Sequence, residues 1–401
     1  MNMTKPSPSP FARHWDLDPD VVFLNHGSFG ACPRVVMERQ LELRREMEAE
    51  PLQFLYHTLE GRIDEAKPRL AQLIGCDAED LAFVANATAG VNTVLRSLKF
   101  GADDELLVTD HEYNACRNAL DYVAETSGAR VVVAPIPFPI REPQQVVDSV
   151  LALATDKTRL CLIDHVTSPT GMVLPIEEIV RTLNERGVDT LVDGAHAPGM
   201  LPLDLSALGA AYYTGNCHKW LCTPKGSAIL FVRRDRQEAI RPLSISHGAN
   251  SVRSDRSRFL IEADWTGTHD PTAHLSIPSA LTHMAGLVDG GWPAIRDRNH
   301  RLALAARELI GPALGLTEHA APDDALGCMV AFPLPTDPPN LPAGPRGHDP
   351  LAHWLWEAHG ICVPVGPLPH GRGRFLRISA QLYNQLEQYE RLAEALSHLP
   401  A

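Results

Sequence analysis

The chain has 401 residues, 21% of them charged and 44% hydrophobic, with 36 Lys plus Arg against 49 Asp plus Glu and a formal charge of −13. That length suits about two or three domains with ample apolar material for a core, and the acidic balance argues against a general nucleic-acid binder, which needs a positive field to displace counterions. The longest apolar stretch, Val131–Ile140, is interrupted by three prolines, so no bilayer-spanning segment is expected. The opening MNMTKPSPSPFARHW carries no signal-like apolar segment, and eight scattered cysteines read as reduced thiols, so a cytoplasmic location is expected.

In chain order, residues 1–20 are rich in Pro and Ser and read as a flexible lead-in. From Val35 to Leu73 apolar residues recur at helical intervals, with Pro51 and Pro68 expected to break or start helices; residues 21–75 form an N-terminal segment. Seven short apolar runs follow: LAFVA (81–85), ELLVT (105–109), RVVVA (130–134), RLCLI (159–163), DTLV (189–192), AYYT (211–214) and SAILFV (227–232). Several are nearly continuous Val, Ile and Leu, the mark of strands buried on both faces. Helix-like stretches at Ala89–Leu98, Asn114–Thr126, Gln144–Ala154 and Ile176–Arg186 lie between most of them. Alternating strands and helices predict a large α/β domain over 76–275, with a seven-stranded, mostly parallel sheet covered by helices. Residues 276–401 read as a smaller α+β domain, with helices at Ala280–Leu287, Ala294–Leu314 and Pro350–His359 and strands at Gly327–Pro333 and Arg374–Ala380.

Ligands of open parallel sheets collect at the carboxyl ends of the strands. After the first strand, NATAG (86–90) offers a helix start suited to a phosphate, or an ordinary cap. After the second, DHEYNAC (110–116) offers His111 or Tyr113 as a ring over a planar ligand, or as packing for the sheet end. Asp193, opening DGAHAPG, can hold a cationic ring nitrogen or simply cap a turn. Lys219, in GNCHKWLCTPKG (215–226), stands among apolar and small residues. Desolvation there lowers an amine's pKa and frees it for a Schiff base, whereas a surface lysine would do nothing of the kind. A phosphate turn, a stacking ring, an acid and a reactive amine are what pyridoxal phosphate requires.

NHGSFG (25–30), NATAG, DHEYNA, DGAHAPG, HKWL…PKG and LRISAQLYN (376–384), in this order, resemble class V, fold-type I pyridoxal-phosphate enzymes, and more narrowly their isopenicillin N epimerase-like branch. The resemblance covers nearly the whole chain. It implies that Lys219 forms the Schiff base with pyridoxal 5'-phosphate and shuttles the α-proton, that Asp193 pairs with the ring nitrogen, and that His196 serves the phenolic oxygen. It implies Tyr113 as the stacking ring and Ala87, Thr88 and His218, with Thr214 or Asn216, as the phosphate site. Ser168 stands in SPTG where relatives carry Asn at a cofactor contact. Thr268 is expected to reach the cofactor phosphate of a partner in a homodimer. Arg377 matches the arginine that grips the substrate carboxylate, and Asn25 and His26 fall in a loop that closes over substrate.

The expected reaction is epimerisation at the α-carbon of an amino acid or amino-acid moiety. Alternatives are a carbon–sulfur β-lyase or cysteine-desulfurase-like enzyme, an aminotransferase, or a non-catalytic scaffold of the same fold. A desulfurase needs a thiolate shortly before the carboxylate arginine, and GPLPHGRGR (366–374) contains no cysteine. Cys328 and Cys362 read as packed thiols. Cys217 and Cys222 lack a second pair at zinc spacing, so no metal is expected.

Overall fold

In the computed structural model the described residues are 9–337, 341, 344–368 and 371–399. Strands β1 (Leu81–Val84), β2 (Glu105–Thr109), β3 (Arg130–Ala134), β4 (Thr158–Asp164), β5 (Asp189–Asp193), β6 (Tyr212–Asn216) and β7 (Ala228–Val232) form one seven-stranded sheet. Its order is β1-β7-β6-β5-β4-β2-β3. The pairs between β6 and β3 are parallel, and β7 runs antiparallel to both of its neighbours. Every apolar run singled out in the sequence is a strand of this sheet. The reason is visible in the burial: Leu106, Val108, Leu160, Leu162, Leu191 and Tyr212 pack into one core, while the alternating Leu107, Cys161, Ile163, Val192 and Tyr213 pack into another on the opposite face.

Helices α1 (Arg34–Ala49) and α2 (Leu59–Ile74) precede the sheet, separated near Pro51 by a π-helical stretch at Gln53–Thr58. Pro68 departs from expectation: it lies inside α2 and does not end it. An interior proline costs about 3 kcal/mol. Here Ile63, Leu70 and Ile74 on the same helix are buried, at about 1.5–3 kcal/mol each, so packing outweighs the break. Helices α3 (Ala87–Ser97) and α4 (Asn114–Ser127) then follow β1 and β2.

The C-terminal part carries a three-stranded antiparallel sheet, with Arg374–Ser379 between Met329–Leu334 and Val365–Pro367. Helices Gly291–Ala313, Pro350–His359 and Leu386–Ser397 flank it. The chain's beginning docks here. Val22–Phe23 pairs in parallel with Ile361–Cys362, Ser9 donates to the Leu382 carbonyl at 2.7 Å, and Trp15 is buried. Ser9 and Trp15 therefore anchor part of the stretch expected to be a loose lead-in, because Trp15 finds an apolar seat beside Tyr383, while half of residues 9–20 stay exposed. Residues 1–8 of that lead-in, and 369 and 370 of the loop before Arg374, lie outside the described residues.

Candidate active site

The carboxyl ends of β1, β2, β4, β5 and β6 face one side of the sheet, and a cavity of about 500 Å³ opens there. Nine of the candidate residues line it: Ala87, Thr88, Tyr113, Ser168, Asp193, His196, Asn216, His218 and Lys219. Each arrives for a local reason. Asn86 caps α3, its side chain accepting from the Ala89 N–H at 2.9 Å, while Asn216 at the end of β6 accepts from the Ala87 N–H at 2.8 Å. These two caps aim the helix start, with its partial positive charge, at the cavity. Gly90 lets α3 approach the sheet, since a Cβ there would stand 2.1 Å from Thr214 Oγ1.

Lys219 Nζ lies 3.1 Å from His196 Nε2. Burial, reinforced by the charge of Arg377, lowers the Lys219 pKa to about 8 against the opposing pull of Asp193. His196 is pushed well below its ordinary value by burial and then by the Lys219 and Arg377 charges, so it is a neutral imidazole at pH 7. Trp220 Nε1–H points at His196 Nδ1 at 3.4 Å, which leaves the imidazole proton on Nε2 when Lys219 is the free amine and can accept it. Asp193 ends β5, buried, and receives two donors: the Ala195 N–H at 2.9 Å and the Cys116 thiol at 3.1 Å. Burial first, and the Asp193 charge second, push the Cys116 thiol far up, so it acts here as a donor and not as a thiolate ligand.

Arg377 lies beside the cavity and is almost wholly buried. Its guanidinium meets the Ser168 carbonyl and, at 3.3 Å, Ser28 Oγ, and its Nε has no partner. No carboxylate pairs with it among the described residues, and burial lowers its pKa to about 10. A cation desolvated without a counter-charge is costly unless an anion arrives.

Four candidates stand elsewhere. His26 is fully buried, with Nδ1 2.8 Å from Tyr383 Oη and Nε2 3.0 Å from the Lys219 carbonyl oxygen. It braces the lysine's backbone and does not face substrate. Asn25 accepts from Ser28 Oγ at 2.6 Å, so it holds the loop and lies off the cavity wall. The Thr214 hydroxyl is spent on the Ile229 carbonyl at 2.7 Å beneath the sheet end, which removes it from the expected phosphate site. Thr268 lines a separate groove of about 670 Å³ with Leu52, Leu55, Tyr56 and Trp265. Sequence reasoning passed over Asp164, which ends β4 beside Asp193 and lines the cavity, and Glu112, buried behind it. The strand-end rule that found Asp193 also points to Asp164. Nothing in the sequence marks the burial of Glu112.

The arrangement fits pyridoxal phosphate on its own chemistry. A buried amine with a lowered pKa, an acid ending a parallel strand, a half-exposed aromatic ring and a helix start converge on one cavity, with an unpaired guanidinium next to them.

The family model described as Aminotransferase class-V matches residues 22–392. The chain is 38% identical to an isopenicillin N epimerase of Amycolatopsis lactamdurans over 96% of each chain. It is 29% identical to a probable chloroplastic L-cysteine desulfhydrase of Arabidopsis thaliana, over 98% of this chain and 85% of that one. Among solved structures it resembles the cystine C-S lyase C-DES in complex with its product cysteine persulfide, with a TM-score of 0.78 at 21% identity, covering 95% of this chain and 98% of that one.

Proposed function

The chain belongs to the aminotransferase class-V family and is a pyridoxal-phosphate-dependent enzyme, and we propose that it epimerises the α-carbon of an amino acid or amino-acid moiety. The observation that carries this reading is the placing of the Lys219 amine 3.1 Å from His196 in a cavity flanked by the unpaired Arg377. A substrate whose α-carboxylate sits on Arg377 brings its α-carbon to the lysine. When bound, the cofactor supplies an aldehyde for amines and an electron sink for the α-carbanion.

The chain's own groups do the rest. Asp193 would hold the ring nitrogen through a charge-assisted contact, and Tyr113 would serve as the stacking ring. The start of α3 at Ala87 and Thr88 would take the phosphate with Asn216 and His218, through the Thr88 N–H and the helix's partial positive charge, since the Ala87 N–H is engaged by Asn216. His196, a neutral donor through Nε2–H, orients the phenolic oxygen, and Ser168 borders the ring. Lys219 as free amine removes the α-proton and carries it. Arg377 fixes the carboxylate by a planar fork. We place the chain in a homodimer in which Thr268 serves the partner's cofactor phosphate. The groove at Thr268 and the exposed Leu52, Tyr56, Ile245 and Val252 near it support that reading. A cytoplasmic location is part of it, supported by eight free thiols.

A second reading is favoured by the cysteine desulfhydrase relatives: β-elimination of a sulfur substituent. No cysteine lines the cavity, so such a reaction would release its sulfur directly and not through a protein persulfide. Proton NMR of the loaded enzyme in heavy water, with amino acids and sulfur-substituted cysteines, tests both. Loss of the α-proton signal with appearance of the other stereoisomer is the expected result. Release of pyruvate and ammonia would replace it with the second reading, and no α-exchange in any substrate would overturn both.

A further inference from the structure

Glu112 is a buried acid close to the cavity with no part in the proposed chemistry. It belongs to the DHEYNAC segment, immediately before Tyr113, and only 8% of it is exposed. Neither carboxyl oxygen makes a hydrogen bond of good geometry, and the Tyr113 backbone N–H gives its charge only weak support. Its oxygen, Cys116 Sγ and an Asp193 oxygen all lie within 4.8 Å of one another. Asp164, whose Oδ2 is also unpartnered, ends the neighbouring strand. Two carboxyls that line the cavity, Asp164 and Asp193, therefore have a third, Glu112, buried close behind them.

The groups around Glu112 offer its charge little help. From β4 it faces Asp164 and Cys161, and from β5 it faces Asp193. From the first turn of α4 come Cys116 and Arg117, and Arg117 is engaged with Asp121 at 2.9 Å. Burial is the largest influence and pushes the Glu112 carboxyl well up, with Asp164 and then Asp193 adding to it. Like charges this close in a desolvated pocket do not all ionise.

We propose that Glu112 is a positioning residue that keeps its proton at neutral pH and so leaves Asp193 as the charge presented to the cofactor's ring nitrogen. It rests on the cofactor reading for its purpose, though the protonation itself belongs to the bare protein. An ionised Glu112 would compete with Asp193 for the same cation from a place where no contact is possible. A neutral one fills the space without adding a second charge beside Asp193.

The test is infrared spectroscopy of the cofactor-free, full-length protein carrying glutamate labelled with ¹³C at the side-chain carboxyl. The expected result is a protonated-carboxyl band between pH 6 and 8 that shifts on labelling and is lost in Glu112→Gln. The other buried glutamates, Glu105 and Glu262, are paired with Arg130 and Arg241, so the band remains assignable in the unsubstituted protein should that variant fail to fold. Only carboxylate bands from the labelled glutamates, or a labelled band that survives Glu112→Gln, overturns the proposal. Cofactor affinity gives a second readout. The dissociation constant of folded Glu112→Gln stays within about threefold of the parent, whereas a loss of about tenfold or more would show that a charge was removed and overturn it. A parent protein that binds no cofactor would strike the functional reading alone, because the infrared band is read without it.

Discussion

Lys219 and Arg377 are two buried cations that resolve their desolvation in opposite ways. The lysine, lowered to about 8, can shed its proton, while the arginine, lowered only to about 10, stays charged and waits for an anion. Mixing cofactor-free protein with pyridoxal phosphate should therefore give a capture rate that rises through about pH 8 in stopped-flow absorbance, as the free amine forms. A rate flat from pH 7 to 9 would contradict it. The sign of the linked stability follows. Unfolded, the lysine keeps its proton up to its ordinary 10.5, so between about 8 and that value the unfolded chain binds more protons. The group's contribution to stability thus grows as pH rises across that window. For Arg377, replacement by Ala removes a charge-assisted contact of about 1.5–3 kcal/mol, so KM for carboxylate substrates should rise by about 10- to 100-fold in steady-state kinetics. An unchanged KM would take Arg377 out of the site.

At the scale of elements, the loop Asn25–Gly30 is held against the lysine segment from both sides. His26 reaches the Lys219 carbonyl, Lys225 Nζ donates to the Gly30 carbonyl at 2.9 Å, and Gly30 itself has φ +70°. A Cβ at Gly30 would stand 2.0 Å from the His218 carbonyl oxygen. Gly30→Ala must move one of the two segments and adopt a backbone, φ +70° with ψ 167°, that is essentially glycine's alone and costs about 1–3 kcal/mol. Cofactor affinity, read by absorbance titration, should weaken by tenfold or more, and an unaltered affinity would show that the two segments are uncoupled. This packing also marks where the sequence was legible. Strands buried on both faces write their burial as unbroken apolar runs, so the sheet and its strand-end residues Asp193 and Lys219 could be read directly. Whether His26 and Thr214 point at a ligand or at a carbonyl depends on side-chain direction, which no run of residue types encodes. Pro68 and the unforeseen helix Leu386–Ser397 show the same limit, since tertiary burial of Tyr389 and Leu392 decides what local propensity leaves open.

Over the whole molecule, the single chain completes the floor of the cavity but leaves Thr268 in another groove, among exposed apolar side chains. Tyr56 is 78% and Val252 98% exposed, which suits a covered surface better than a wet one. Sedimentation should give twice the 43.9 kDa of one chain. Tyr56→Glu should shift the equilibrium toward that single-chain mass and weaken cofactor binding together. A monomeric parent protein with full activity would remove Thr268 from the site. The family's architecture was legible at this scale because its motifs run in order along almost the entire chain. The substrate was not, because the direction of the exposed Phe29 and Tyr113 side chains on the cavity wall is not written in residue types.

The proposed chemistry depends on capture of pyridoxal phosphate by the Lys219 amine. Borohydride reduction of the loaded enzyme followed by peptide mass spectrometry tests it most directly. The expected product is a phosphopyridoxyl group on the peptide containing Lys219, absent in Lys219→Ala together with visible absorbance and turnover. A label on Lys225 or another lysine, or a Lys219→Ala protein that remains yellow and active, would contradict it.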